Sequence, residues 1–456
     1  MAGKERKNDL ESRDELDKRE NMYYNTLLYL FCVIFPVSEV VMSHLTRSLP
    51  DCPCQKPHVC PIRAVEIGEG ALSRLPALCE GYTRILVVAD RHTHAACGGE
   101  AVALLGEAVE TYHVFGGEGV LIPDEEAIAA MEGALTPATD LLVGVGSGVI
   151  NDLCKHVSFK RGLPYVIVAT APSMDGYASV GAALILGGMK VTLNARPPMA
   201  ILGDTRVLRE APMEMIRAGY GDIIGKYSCL SDWRLASYIR GEYFCPTVYD
   251  LVMETAHRVR ALAEPLTRRE GEAVSALMEA LVAVGVAMAY VGNSRPASGS
   301  EHHLSHFFEI TGILKGTPYL PHGVDVAYSS VITARLRGEM LKKSPRRAPF
   351  DAAAYEAAMR RAYTSIADSV MDQQRALGWY DEPETDAFVL SHAEEIRAIL
   401  AEAPDEAETR AMVEAVGLRM DELYETYGEA HVAEAVTCAK DLKDRYTLLW
   451  LYNLYY

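Results

Sequence analysis

Cysteine is scarce, with ten residues in a chain of 456. That is too few for the disulfide framework of a secreted scaffold, and Cys79, Cys97, Cys154, Cys229, Cys245 and Cys438 are scattered through apolar or periodic stretches, as expected of a reducing cytosol. Positive charge is also short: Lys+Arg 44 against Asp+Glu 62 leaves a formal charge of −18. Such a field repels polyanions and argues against nucleic acid or an anionic membrane surface as the main partner. The apolar run at residues 27–35 ends at Pro36 and Glu39, far below the roughly 20 residues of a membrane span. There is no short basic leader with a small-residue cleavage site. Internal repeats, low-complexity tracts and a convincing Ser or Cys nucleophile motif are likewise lacking, and Cys154 and Cys229 read as packed core thiols.

What is present describes a globular protein of more than one domain. Hydrophobic residues make up 49% and charged residues 23% of the chain, and single cores stop growing at about 250–300 residues. Residues 1–45, mostly charged with mixed sign and then briefly apolar, are expected to lie outside the main fold. Met42 is an alternative initiator and a peripheral amphipathic anchor an alternative role. Next comes DCPCQKPHVC, where Cys52, Cys54, His58 and Cys60 supply enough sulfur and nitrogen for a small zinc site, although one residue between the first two cysteines is tighter than the usual spacing. The other reading is a proline-rich entry segment with incidental thiols.

From residue 61 the pattern alternates. Strands are predicted at 84–90, 111–115, 140–144, 165–169 and 200–203, helices at 95–109, 124–135 and 149–158, and a hairpin at 184–192. Short apolar strands alternating with helical stretches indicate a doubly wound parallel sheet. After residue 207 long Ala-, Glu-, Leu- and Arg-rich periodic stretches dominate. The expected organisation is therefore an extension at 1–45, a Rossmann-like dinucleotide-binding domain at 46–206 and an all-α domain at 207–456. The aromatic tail 446–456 is expected to pack on its own domain or on a neighbouring subunit.

Two groups of residues point to chemistry. In DLLVGVGSGVINDLCK a strand runs through Gly144, Gly146 and Gly148 into a helix, the arrangement that brings a backbone and a helix N-terminus up to a pyrophosphate. Asp90 ends an earlier strand where an acid would hold an adenosine ribose and favour NAD over NADP, and Thr170, Ala171, Pro172 and Ser173 lie at the carboxyl end of the next strand. Farther on, GYGDIIGK places Asp222 and Lys226 on one helical face, RPASGSEHHLSH places His302 and His306 on another, and His322 follows in a PHG loop. One carboxylate and two imidazoles leave coordination positions open, as a catalytic metal site requires. His303 points to a different face. For an anionic substrate group, Arg295 and Lys226 are the nearest cations in sequence. The ordinary alternatives are that Lys226 pairs with an acid across its helix and that Arg295 fixes a loop.

GVGSGVIND, TAPSMDGYAS, GYGDIIGK, RPASGSEHHLSH and LPHG, in that order, resemble the sn-glycerol-1-phosphate dehydrogenases, especially the bacterial branch, within the glycerol dehydrogenase and iron-type alcohol dehydrogenase group. The resemblance runs from residue 61 to the C-terminus. It implies a dehydroquinate synthase/glycerol dehydrogenase-like architecture, a homo-oligomer with a dimer favoured, and a cytoplasmic enzyme reducing dihydroxyacetone phosphate with NAD(H) or NADP(H) and one divalent ion, zinc or nickel before iron. It further implies Asp222, His302 and His322 as metal ligands, with Asp222 also near the substrate, His306 as a substrate contact and proton relay, and Asp175 as a second substrate contact. Gly146, Gly148, Val149, Ile150, Asn151, Asp152, Thr170, Ala171, Pro172, Ser173 and Ser179 are implied as cofactor contacts, and Asp90 corresponds less closely. The competing functions are a glycerol or small-diol dehydrogenase without phosphate, a non-redox dehydroquinate-synthase-like lyase, and a non-catalytic nucleotide or metal sensor. Neither the extension nor the Cys52–Cys60 cluster has a counterpart in the family pattern.

Overall fold

The computed structural model describes residue 46 and residues 48–456, apart from 118, 120 and 188. The expectations about residues 1–45, including Met42 and the anchor, lie outside the described residues. Among those described, six parallel strands form one sheet in the order β1-β8-β5-β4-β2-β3. They are β1 (Ala64–Gly68), β2 (Ile85–Asp90), β3 (Val109–Phe115), β4 (Leu141–Gly146), β5 (Tyr165–Ala169) and β8 (Ala200–Asp204). β2, β4, β5 and β8 are almost wholly buried, which is why they read as unbroken apolar runs. β1 had no such signal. It is an edge strand that alternates buried and half-buried residues and pairs only with β8.

β6 (Gly181–Leu186) and β7 (Met189–Asn194) form the separate antiparallel hairpin. The helix expected at 95–109 is present from Arg91 to Leu105, widened by one turn at His94–Gly98, and it ends in a tight turn at Gly106–Ala108 before β3. Gly98 lets this helix pack against β3, because a Cβ there would lie 2.7 Å from the Tyr112 hydroxyl.

Two helices flank β4: α1 (Glu125–Ala134) before it and α2 (Gly148–Arg161) after it. After β8 the described chain is helical. It includes α3 (Met213–Ile224), α4 (Lys226–Arg240), α5 (Pro246–Arg260), α6 (Gly271–Val291), α7 (Ser300–Lys315) and α8 (His322–Leu341), and it ends with α9 (Leu448–Tyr455). α6 has the length and a mean hydropathy of 2.0 that would let it cross a bilayer, but 78% of that window is buried inside the chain, so it serves as the core helix. The aromatic tail also packs inward, with Tyr446, Trp450 and Tyr455 all at most 2% exposed.

α3 and α8 meet through glycines. A Cβ at Gly323 would stand 2.0 Å from the Ala218 carbonyl oxygen, and one at Gly221 would stand 2.4 Å from the Gly323 carbonyl oxygen. Their chain neighbours are Asp222 and His322, so this backbone contact sets the distance between those two side chains. Gly323→Ala is expected to destabilise the fold by about 1–3 kcal/mol or more through overpacking. A lower urea midpoint together with reduced metal content would check it, and an unchanged metal content would show that the contact does not position the site.

Candidate active site

The chain leaves β2 outward to β3 and resumes at β4 on the other side of β2. This reversal opens a crevice at the carboxyl ends of β2 and β4, the place where open α/β sheets bind ligands. Ala89 pairs with Val145, so Asp90 and Gly146 stand level at its mouth. The strand-to-helix turn then leads into α2, whose N-cap Ser147 makes no side-chain capping bond and whose first turn has no acid. The leading N–H groups are thus open to an anion. A Cβ at Gly146 would fall 2.5 Å from the Ile150 side chain, so glycine is what lets α2 pack this close to β4.

The residues implied as cofactor contacts divide by environment. Ile150 and Asn151 are buried under α2, so their side chains face the protein and only their backbone can meet a ligand. Asp152 pairs with Lys155 at 3.6 Å. The Thr170 N–H donates to the Gly146 carbonyl at 3.1 Å, which seats the Thr170–Ser173 segment beside the glycine turn. Ser179 is engaged internally, accepting from the Lys155 ammonium at 3.0 Å and donating to the Gly176 carbonyl at 3.0 Å. Asp90 accepts from the His92 and Thr93 N–H groups at 2.8 Å through one oxygen, so it caps a short helix as well as lining the crevice.

Asp222, His302 and His322 come together, each offering a ligand atom within 4.8 Å of the others. They arrive from α3, α7 and the first position of α8. The start of α7 is fixed from outside, since Asp232 of α4 accepts from the Ser300 N–H at 2.6 Å and from the Leu448 N–H at 2.6 Å. His302 Nδ1 is bonded to the Glu301 carboxylate at 2.7 Å, which leaves Nε2 toward Asp222, 3.5 Å away. Ser305 holds His322 Nδ1 at 3.2 Å. Such partners orient ligand imidazoles, and neither Glu301 nor Ser305 was singled out from sequence; their signal was position, one residue before His302 and one turn after Glu301.

The electrostatics of this corner favour a cation. Burial works against charge at Asp222, yet Lys226, His302 and His322 hold its carboxyl well below the usual range. Burial likewise opposes protonation of His302, but Asp222 and Glu301 raise it above its ordinary value. An oxygen and two oriented nitrogens in a pocket that draws positive charge fit a divalent ion.

Lys226 settles one open question. Fully buried, its ammonium meets Asp175 at 2.6 Å, Asp222 at 2.8 Å and the Ala297 carbonyl at 2.9 Å. It neutralises two carboxylates, and it has no reach left for a substrate anion. Arg295 is 1% exposed and tied to Glu242 at 2.5 Å and the Tyr446 carbonyl at 2.8 Å, so it fixes a loop. Two cations from distant segments act electrostatically on the His cluster, and one of them, Lys190, is ion-paired with Glu309. Lys443 and Lys190 both act on His306, whose pKa burial and these two charges push well below normal. The ordinary value near 6.5 expected for His306 is therefore replaced by a ring that is neutral at pH 7. Its ring stacks against His322, with centroids 5.4 Å apart. His303 is buried and also neutral, pushed down by burial and then by Lys443, Arg445, Arg295 and His302.

The two groups of residues are joined directly: the Asp175 N–H, in the segment following β5, donates to Asp222 Oδ2 at 2.9 Å. The segment beside the glycine turn is thus tied to the Asp/His/His corner.

A family model described as iron-containing alcohol dehydrogenase matches residues 66–212. A glycerol-1-phosphate dehydrogenase (NAD(P)+) of Halalkalibacterium halodurans is 32% identical over 314 residues, 66% of this chain and 79% of the relative. The protein of the same name from Bacillus licheniformis is 28% identical over 423 residues, 91% of this chain and 95% of the relative. Among solved structures, a maleylacetate reductase from Agrobacterium tumefaciens shares the fold at a TM-score of 0.55 and 14% identity, covering 87% of this chain and 95% of that one. Similarity of this extent and degree, on a parallel-sheet nucleotide fold followed by helices that bring an Asp and two His together, places the chain in the glycerol-1-phosphate dehydrogenase family of iron-type alcohol dehydrogenases.

Proposed function

We propose that this protein reversibly reduces dihydroxyacetone phosphate to sn-glycerol 1-phosphate with NADH or NADPH, in the cytoplasm and as a homo-oligomer, with a dimer favoured. The observation that carries the reading is the Asp175–Asp222 hydrogen bond, because it couples the segment beside the glycine turn to the Asp/His/His corner. Reduction of the phosphorylated and unphosphorylated ketone, each with NADH and NADPH, together with the stereochemistry of the product, tests it. A clear preference for dihydroxyacetone would instead make the protein a glycerol-type dehydrogenase, and turnover with no net NADH consumption would make it a lyase.

In this reading Asp222, His302 and His322 hold one divalent ion, zinc, nickel or iron. A bound ion there supplies Lewis-acid polarisation of the ketone oxygen, and the nicotinamide supplies the hydride. The protein's own groups do the rest. Gly146, Gly148 and the opening of α2 hold the pyrophosphate, Asp90 the ribose, and the segment Thr170–Ser173 the face of the cofactor. Asp222 and Asp175 lie within reach of the substrate hydroxyls, with the Lys226 ammonium between them offsetting their charge. His306 relays the proton as a neutral ring, donating one N–H while accepting at its other nitrogen.

Lys443 is the partner this reading assigns to the substrate phosphate, since its charge acts on His306 while Lys190 is paired with Glu309. Burial first, and then the charges of Arg445 and Lys190, bring the Lys443 ammonium down to about 7. A phosphate dianion stabilises the charged form, so the bound pKa lies above the free one. Affinity is then greatest below pH 7 and weakens as pH rises through the free value, while the phosphate's own ionisation near pH 6 limits it on the acid side. Lys443→Ala is expected to raise KM for the phosphorylated ketone about 10–100-fold, the worth of a charged hydrogen bond, and to flatten the rise of KM above pH 7. KM for dihydroxyacetone should stay unchanged. Equal losses on both ketones would remove Lys443 from the phosphate site.

A further inference from the structure

Away from the active site, a second set of metal-binding side chains is assembled from distant parts of the chain. Cys52, Cys54, His58 and Cys245 place four ligand atoms within 4.8 Å of one another. The first three sit on a small loop closed by paired hydrogen bonds between Leu49 and His58, 2.8 and 3.0 Å. That loop turns tightly at Gln55, whose φ of 65° lies in the left-handed region. The fourth comes from the helical half, as the residue immediately before α5. Cys60, the fourth ligand suggested by local sequence, is not among them: its sulfur is directed to the Ile62 carbonyl at 4.0 Å.

The distances are those of a tetrahedron. Zinc bonds of about 2.3 Å to sulfur and about 2.0–2.1 Å to nitrogen imply edges of roughly 3.8 Å between sulfurs and roughly 3.6 Å between sulfur and nitrogen. Here Cys52 and Cys245 sulfurs stand 3.6 Å apart, and His58 Nε2 lies 3.3 Å from both the Cys54 and Cys245 sulfurs. A separation of 3.6 Å also excludes a disulfide, whose sulfurs are about 2.05 Å apart. His58 is oriented as a ligand: its Nδ1 lies 2.9 Å from the Tyr290 carbonyl. A carbonyl can only accept, so Nδ1 carries the proton and the lone pair of Nε2 faces the sulfurs, the arrangement usual for metal-ligating imidazoles. Cys52, His58 and Cys245 are at most 7% exposed.

We propose that Cys52, Cys54, His58 and Cys245 bind a structural zinc ion that fastens the segment entering the sheet domain to the helical half of the protein. Three thiolates and an imidazole fill a tetrahedral shell and leave no position for a substrate, unlike the oxygen- and nitrogen-ligated corner at Asp222. The ion closes a separation of 193 residues between Cys52 and Cys245 and ties both to the end of α6 through the Tyr290 carbonyl. The protein therefore carries two metal sites of different character, and total zinc content says nothing by itself about which metal serves the catalytic corner.

Elemental analysis of the full-length protein, with variants of each site, tests this. The wild type is expected to hold two metal equivalents per chain. Cys245→Ser should lose one of them, always zinc, together with a lower thermal midpoint, whereas His302→Ala should lose the other and keep the zinc. Cys60→Ser should keep both. Titration of the unmodified protein with a mercurial thiol reagent, read with a zinc-sensitive dye, provides the measurement should Cys245→Ser fail to fold: one zinc is expected to be released as the thiols react. Cobalt substitution should give thiolate-to-cobalt charge-transfer absorption in both wild type and His302→Ala. Full zinc retention in Cys245→Ser, loss of zinc in Cys60→Ser, or absence of both thiol-linked zinc release and the cobalt–thiolate bands would overturn the proposal.

Discussion

His302→Ala is expected to lose its catalytic divalent ion and at least about a thousandfold of turnover. In the proposed site the imidazole is one of three ligand side chains, and its neighbours are arranged for its presence: Glu301 is fully buried and holds Nδ1, and Asp222 lies 3.5 Å from Nε2. Removing the ring takes away the largest offset to the burial of Glu301, leaving the Gly299 N–H at 3.0 Å, and two remaining ligands hold a divalent ion far more weakly. Lewis-acid polarisation is worth several kcal/mol, and each ~1.4 kcal/mol is tenfold in rate. Metal analysis and kcat should fall together. His306→Ala provides the contrast: it should keep the ion and lose rate, because His306 stacks on His322 without belonging to the ligand set. Full metal occupancy in His302→Ala would remove that residue from the site, and an unchanged pH–rate profile in His306→Ala would remove the relay.

Lys226→Met should be the most destabilising change at the site, by about 3–5 kcal/mol in metal-free protein. The ammonium bridges Asp175 and Asp222 with no exposure to water. Methionine keeps most of the volume and removes the charge, so two carboxylates face each other in a medium that screens poorly. Burial and Asp222 already raise the Asp175 carboxyl, and without Lys226 that group takes up a proton. A carboxyl whose folded pKa exceeds its unfolded one stabilises the protein in acid and loses that contribution as pH rises through the folded value. The deficit of the variant should therefore be smallest at low pH and grow toward neutrality. Restoring the divalent ion should narrow it, since a cation on Asp222 replaces part of the lost charge. Urea melts of both proteins at pH 5 and pH 8, with and without metal, measure this; a pH-independent deficit would mean that lost packing, not charge, is responsible.

The parts legible from sequence were local ones. β2, β4 and β5 announced themselves because both faces of a central parallel strand are buried, so every position is apolar. β1 did not, because an edge strand buries one face. The helix at 95–109 was overextended at its end, because composition favours helix there while Gly106, at a φ of 55°, stops it after Leu105. At the site, the i,i+4 spacing of His302 and His306 and the strand–glycine–helix turn follow from one segment each and could be read directly. Glu301 and Ser305 lay inside the same motif, and only their contacts with His302 and His322 reveal what they do.

Other features depend on segments that meet only after folding. Lys226 looked like a candidate anion receptor one turn from Asp222, until Asp175 arrived from the sheet domain and claimed it. The charge of Lys443, near the C-terminus, acts on His306, with no periodicity or spacing to connect them. Cys245 replaces Cys60 at the thiol cluster for the same reason. By itself the sequence determined the class of each half and brought Asp222, His302, His306 and His322 into view as candidates, since hydrophobic period, glycine placement and helical spacing are short-range properties. Tertiary structure alone decided which charges cancel and which cysteine joins Cys52, Cys54 and His58. Those outcomes rest on distances of a few ångströms between residues separated by up to about two hundred positions, and only the closed fold sets them.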